Sequence, residues 1–313
     1  MKQTTPPADL KELHATLLDL IEDVDALCRR HNLRYSIYCG TLLGAVRERD
    51  FIPWDDDADL TMPIKDYRRF IKIAQQELSD KYVIQDLENT PQHPWLYMRV
   101  YRKGTTYMRD DRAALQICHG IAVDIFPMIG IANTKIGFRL QRAVLDLVSA
   151  LHRVEFWKTI GYPKSKGARY VGKLFSALPR RLRHVLSLGL FRLACFSPQS
   201  KKKCCSIDSA PLAPKFDSAD WNDYTTVDLA GKSFVAPVAY DKLLRAMYGD
   251  YMTPPPLAAR TAAHTGVWGG VTFDPRRDYT LYRTRLLRER NAEIRTPASL
   301  TNANATTLAN ANF

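Results

Sequence analysis

Five aspartates carry most of the chemistry this sequence offers. Asp55, Asp56, Asp57 and Asp59 crowd into FIPWDDDADLTM, residues 51–62, and Asp124 stands alone in the apolar run GIAVDIFPMIG. Like charges this close repel one another, and burial adds a desolvation cost. A divalent cation reverses that balance, because Mg²⁺ takes oxygen ligands, commonly one or two carboxylates completed by substrate phosphates and water. Leu60 and Met62 continue a period of two, so DADLTM reads as a strand with Asp57 and Asp59 on one face and Ala58 on the other. An isolated run of aspartates is ordinarily a solvated acidic turn. Asp124 by itself would suit a sheet edge or a salt bridge. Three strand-borne acids together favour a metal site with Asp57, Asp59 and Asp124 as its ligands and Mg²⁺ or Mn²⁺ as its ion. Asp124 is open between metal ligand and general base.

The flanking residues suggest a substrate beside that metal. YCGTLLGAVR, residues 38–47, reads as strand, Gly40-Thr41, then helix. A glycine permits close backbone approach, and a helix N-terminus offers free N–H groups to an anion. Gly40, Thr41 and Arg47 are therefore candidate phosphate contacts. Arg99 and Arg102 in YMRVYRKGTTY have the fork geometry for phosphate, or lie on an exposed strand face. Trp54 would stack on a base or an alcohol cation, or pack beneath the acidic turn, and Tyr97, Tyr101 and Tyr107 are equally ambiguous. His264 is read as a surface histidine.

The elements that position these residues are legible in outline. Leu10, Leu13, Leu17, Ile21, Val24 and Leu27 fall at helical steps within residues 9–30. YSIYC, YVIQDL, WLYMRVYR and GIAVDIFPMIG read as strands, the last stopping near Pro127. IKDYRRFIKIAQQELS and residues 239–247 read as amphipathic helices, with Gly249 capping the second. The six cysteines show no CxxC spacing and read as reduced thiols rather than a zinc site. No secretory signal is read at the N-terminus and no bilayer span elsewhere, so a cytoplasmic location, peripheral on the inner face of the membrane, is expected.

Charge is unevenly placed. Residues 131–205 hold 16 Lys or Arg against two acids, a net of +14, while the rest of the chain has 29 bases and 31 acids. GFRLQRAVLDLVSALHRVEFW and LPRRLRHVLSLGLFRLACF read as basic amphipathic helices, with GYPKSKGARY and SPQSKKKCC as loops. Residues 138–195 would suit an anionic membrane surface, or a subdomain with its basic face to water. A nucleic-acid role is disfavoured, since no recognised motif accompanies the charge. Four regions follow: a catalytic core over 1–130, the basic helical segment 131–205, the C-terminal part of the catalytic domain 206–290, and a polar, disordered tail 291–313.

YCGTLLGAVRERDFIPWDDDADLTMP resembles the signature of the LicD/fukutin-type phosphotransferases, and HGIAVDIFPM and LLRAMYGDYMTPPP resemble two further motifs of that family. The resemblance runs from about Leu10 to His264, the basic middle apart. Without the fukutin-like cysteines, the bacterial LicD-like branch is nearer. The resemblance implies an α+β fold with a nucleotidyltransferase-like mixed sheet flanked by helices, here with a basic helical insertion. It implies Asp57 and Asp59 as the metal pair and Asp124 as third ligand or base. It further implies transfer of an alcohol phosphate, phosphocholine from CDP-choline above all, onto a hydroxyl of a cell-surface or lipid-linked glycan. Ribitol or glycerol phosphate from other CDP-alcohol donors, nucleotidyl transfer, and a non-catalytic basic adaptor at a membrane are the alternatives.

Overall fold

A computed structural model describes residues 10–196, 198–207, 214–260 and 270–295. Helix α1 (Leu10–Arg30) leads to β1 (Ser36–Ile37), α2 (Cys39–Arg47), β2 (Asp59–Pro63) and α3 (Ile64–Glu77). Then come β3 (Tyr82–Gln85), β4 (Met98–Arg102), β5 (Thr106–Arg109) and the long β6 (Ala122–Ile131). Helices α4 (Lys135–His152), α5 (Val154–Ile160), α6 (Lys166–Ser176) and α7 (Arg180–Ala194) follow. The chain continues through β7 (Lys203–Ser206), β8 (Phe216–Asp217), β9 (Tyr224–Leu229), β10 (Lys232–Pro237), α8 (Tyr240–Tyr248), β11 (Val271–Asp274) and α9 (Tyr279–Arg295).

The central sheet runs β1-β2-β6-β4-β3, with β7 and β8 extending it along the C-terminal half of β6. Only β2 and β6 pair in parallel among the described strands, so the sheet is mixed, as expected for an α+β fold. Alternation along its strands divides the interior. Leu60, Met62, Met98, Val100, Val123 and Ile125 join the large core with α1 and α3. Tyr97, Phe126 and Met128 turn the other way, into a smaller aromatic cluster with Tyr38 and Trp221. Asp59, Arg99 and Asp124 share the face of that second cluster by the same period of two. Each large apolar side chain buried on the first face contributes roughly 1.5–3 kcal/mol, which fixes the strand registers and with them the polar face.

Several elements differ from the sequence reading. The strand at 35–39 shrinks to two residues, and α2 begins at Cys39, whose φ of 44° is left-handed. Strand β2 begins at Asp59, so Asp57 lies in the loop before it. Strand β6 passes through Pro127 instead of stopping there. Pro127 O accepts from Ile207 N, so the missing proline N–H points to the edge where β6 exchanges β4 for β7 as partner. The 137–157 helix breaks at Arg153. Helix α6 starts inside the expected loop GYPKSKGARY, and β7 occupies the end of SPQSKKKCC. The basic helices thus leave the sheet at Ile131 and return to it at Lys203, its antiparallel partner. Gly249 does cap α8, with φ 67° and its N–H on Arg245 O. His264 and residues 296–313 lie outside the described residues. No described helix is long and apolar enough to cross a membrane.

Candidate active site

The acidic loop is pressed onto helix α2 by two glycines one turn apart. A Cβ on Gly44 would stand 2.6 Å from Asp50 O and 2.9 Å from Ile52 N, and a Cβ on Gly40 would stand 2.5 Å from Asp55 Oδ2. The position expected to cradle a substrate phosphate therefore holds the chain's own Asp55 carboxylate. Asp55 N bonds Ile52 O at 2.9 Å, and its carbonyl contacts His14 Nε2 at 2.8 Å. Thr41 is likewise a positioning residue: its Oγ1 accepts from Asp59 N at 2.8 Å and pins the start of β2.

Parallel pairing sets Asp59 directly beside Asp124. One carboxylate oxygen each of Asp55, Asp56 and Asp57 comes within 4.8 Å of the others, so the tightest acidic group is the loop triplet and not the expected Asp57, Asp59, Asp124 set. Asp57 links the two. Burial pushes Asp55 well above the usual carboxylate range, and the charge of Asp57 is the next largest cause. Burial does the same to Asp59, again with Asp57 next, followed by Asp124 and Asp55. Asp56 is held apart by Tyr107, whose hydroxyl donates to its Oδ2 at 2.6 Å.

Asp124 is already paired. Antiparallel register places Arg99 of β4 opposite it, with Nε 2.6 Å from Oδ1 and Nη2 2.7 Å from Oδ2. The Arg99 guanidinium also lies 4.0 Å from the centre of the Trp95 ring. Arg102, three residues on, occupies the opposite sheet face; its Nη1 donates to Tyr82 Oη at 3.1 Å, away from the carboxylates. Arg47 does not join the cluster either. Its guanidinium contacts Glu48 and donates to the Tyr251 carbonyl at 2.9 Å, tying the segment after α8 to α2. Trp54 is flanked by Arg47 and Arg260, at 5.9 and 5.1 Å from its ring centre, so both neighbours of the ring are protein cations.

Residues the sequence reading passed over complete the site. One cavity is lined by Asp56, Asp57 and Asp124 together with Arg99, Arg109 and Arg112. Arg109 and Tyr107 alternate on β5, so they share a face, and that spacing was the available signal. Arg112 follows in the next turn, where nothing local marks it. Its Nε and the hydroxyl of Tyr101, also on the cavity wall, are buried without a hydrogen-bond partner. Burial and the neighbouring Arg109 and Arg99 lower the Arg112 guanidinium to about 10. Tyr248, at the end of α8, is 43 % exposed, yet burial of its hydroxyl near Cys39, Asp59 and Asp55 raises its pKa.

The donor set fits a hard cation: clustered carboxylates, two of them driven toward their protonated forms by burial and mutual repulsion. Three arginines and the unpartnered Arg112 Nε and Tyr101 Oη on the same cavity fit a polyanion beside it.

Residues 32–136 match the family model described as LicD/FKTN/FKRP, nucleotidyltransferase domain. The lipopolysaccharide cholinephosphotransferase LicD of Haemophilus influenzae is 26% identical over 266 residues, covering 79% of this chain and 92% of that protein. Uncharacterized proteins of Rickettsia typhi and Rickettsia prowazekii are 41% and 43% identical over 61 residues, 20% of this chain. The matched domain contains every carboxylate of the site, and the Haemophilus relative aligns along most of both chains: the protein resembles the LicD-like family.

Proposed function

We propose that the protein is a metal-dependent phosphotransferase that moves an alcohol phosphate from a CDP-linked donor onto a glycan hydroxyl, with phosphocholine from CDP-choline as the favoured pair. The observation that carries this reading is the cavity where Asp56, Asp57 and Asp124 meet Arg99, Arg109 and Arg112. Asp57, Asp59 and Asp124 would hold Mg²⁺ or Mn²⁺, with Asp55 packed beside Asp57. The bound ion would neutralise charge on the diphosphate and on the leaving CMP. Arg112 Nε and Tyr101 Oη, buried without partners on the cavity wall, would donate to the donor's phosphate oxygens, and Arg109 would add charge to the same wall.

In the transfer, the acceptor oxygen bonds to phosphorus, the bond from phosphorus to the CMP oxygen breaks, and the hydroxyl proton passes to a carboxylate of the cluster. Both oxygens of Asp124 are engaged by Arg99, which favours the ligand role over the base for that residue. Positioning and fixed charge do most of the work in such a step. The choice of phosphocholine rests on the Haemophilus relative, not on an aromatic box, since Trp54 and Trp95 carry arginines over their rings. A lipid-linked glycan is the acceptor class this reading implies.

Release of CMP from CDP-choline by the purified protein, with Mg²⁺ or Mn²⁺ and with EDTA, tests the proposal. Metal-dependent CMP supports it. Pyrophosphate as product would indicate nucleotidyl transfer instead. Release from CDP-ribitol or CDP-glycerol but not CDP-choline would keep the reaction and change the alcohol. No release from any of the three with glycan acceptors present would refute it.

A further inference from the structure

Three of the basic helices, α4, α6 and α7, carry apolar stripes on the outside, and α4 and α7 bury apolar side chains as well. On α7, Leu182, Val185, Leu186 and Leu193 recur at helical spacing and are exposed, Leu193 by 69 %. The inward face of the same helix buries Arg183 and Ser187 alongside Phe191 and Ala194. Helix α4, which packs on α7, buries Leu145, Val148 and Leu151 with Gln141, yet it too carries an outward stripe of Ile136, Leu140 and Leu147. Gln141 bonds the carbonyls of Gly130 and Ala194, and Arg183 pairs with Glu155, so both buried side chains have partners that hold the orientation of the two helices. An ordinary surface helix presents charged and polar residues, not a second apolar stripe, on its outer face.

Cations flank these stripes. Lys135, Arg139 and Arg142 are exposed on α4, and on α6 Arg169 and Lys173 stand beside exposed Tyr170 and Leu174. Among the described residues of α4–α7, Asp146 is the one exposed acid, and Arg142 lies 3.7 Å from it. Apolar stripes bordered almost solely by cations match an interface whose outer layer is anionic and whose interior is hydrocarbon.

We infer that the outer face of α4, α6 and α7 docks on an anionic phospholipid bilayer, with the leucines at the acyl boundary and the lysines and arginines among the headgroups. The inference stands on the helical surface alone and holds whichever group the carboxylate site transfers. A second copy of this chain would cover apolar area as well. It would also bring two strongly basic faces together, and that repulsion favours the lipid.

The test is flotation of the full-length protein with phosphatidylcholine vesicles, with or without about one third phosphatidylglycerol. Binding to the anionic vesicles alone is expected, weakening as salt shortens the screening length. Leu186→Glu combined with Leu193→Glu should lower the partition coefficient about tenfold or more while leaving the melting temperature unchanged, because both positions are solvent-exposed. Arg139→Glu combined with Lys173→Glu should do the same from the electrostatic side. Absence of binding to anionic vesicles at low salt would overturn the inference. So would binding that is indifferent to both leucine substitutions, or a vesicle-independent dimer that those substitutions dissolve.

Discussion

Asp57→Asn probes the centre of the acidic site, because Asp57 is the largest charge cause acting on both Asp55 and Asp59. Its oxygen lies within 4.8 Å of one on Asp55, a separation at which two full charges repel by roughly 3 kcal/mol at an effective dielectric of about 20. Partial protonation relieves some of that, so the metal-free variant should be more stable than wild type by about 1–3 kcal/mol at neutral pH, or about 2–6 °C in Tm. Added Mg²⁺ or Mn²⁺ should reverse the order. Wild type should gain about 2.7 kcal/mol at a hundredfold excess over Kd, while the variant gains little and loses turnover about a thousandfold or more. Because Asp55 and Asp59 are raised in the folded state, the metal-free protein has their full stabilising contribution below the ordinary carboxylate range. It loses stability as pH rises through their elevated pKa values. Bound cation should flatten that slope, and Asp57→Asn should make it shallower without cation. Thermal melts with and without metal across pH, beside CMP release, measure all of this. A variant that keeps the full metal-induced shift and turnover would refute the assignment of Asp57.

Gly44→Ala should cost about 1–3 kcal/mol and most of the activity, because its Cβ meets the backbone of Asp50 and Ile52 and pushes the acidic loop off α2. Gly189→Ala on α7, with nothing within 4 Å of its Cβ, should instead gain about 0.5–1 kcal/mol in the same urea titrations. Tyr107→Phe removes the donor to buried Asp56 and should cost about 1.5–3 kcal/mol, with a fall in turnover that no added metal restores. Asp86, pushed up to about 6 by burial, should weaken the fold as pH rises through that value. Asp86→Asn keeps an acceptor for the N–H groups of Glu88 and Asn89, so urea melts of this variant should show less stability loss between pH 3 and 8, a contrast of about 2–3 kcal/mol. Equal losses in both proteins would remove Asp86 from the account.

Local pattern was sufficient wherever one residue's neighbours in sequence are its neighbours in space. The spacing of Leu10, Leu13, Leu17 and Val24 yields α1, and Ile64, Tyr67, Phe70 and Ala74 yield α3. The strand placement of Asp59 and Asp124 follows from alternation, and the concentration of cations between 131 and 205 is a matter of counting. The acids themselves, and the expectation that they gather around a cation, need no tertiary information.

Partners across the fold needed the structure. Arg99 and Arg102 look alike in sequence, but alternation puts them on opposite faces of β4, and the register of β4 against β6 sets Arg99 on Asp124. Gly40 reads equally well as a phosphate cradle; only the return of the chain at 50–55 fills it with Asp55. Arg112 reaches the cavity because β5 and the turn after it fold back over the acidic loop, a contact some fifty residues away in the chain. The direction of the α4 and α7 stripes is decided by burial: amphipathic spacing reveals two faces and cannot say which one the protein keeps. Residue type and period thus determined which groups this protein carries and at what intervals. Register, crossover and helix rotation, set by long-range burial, decided which of them meet.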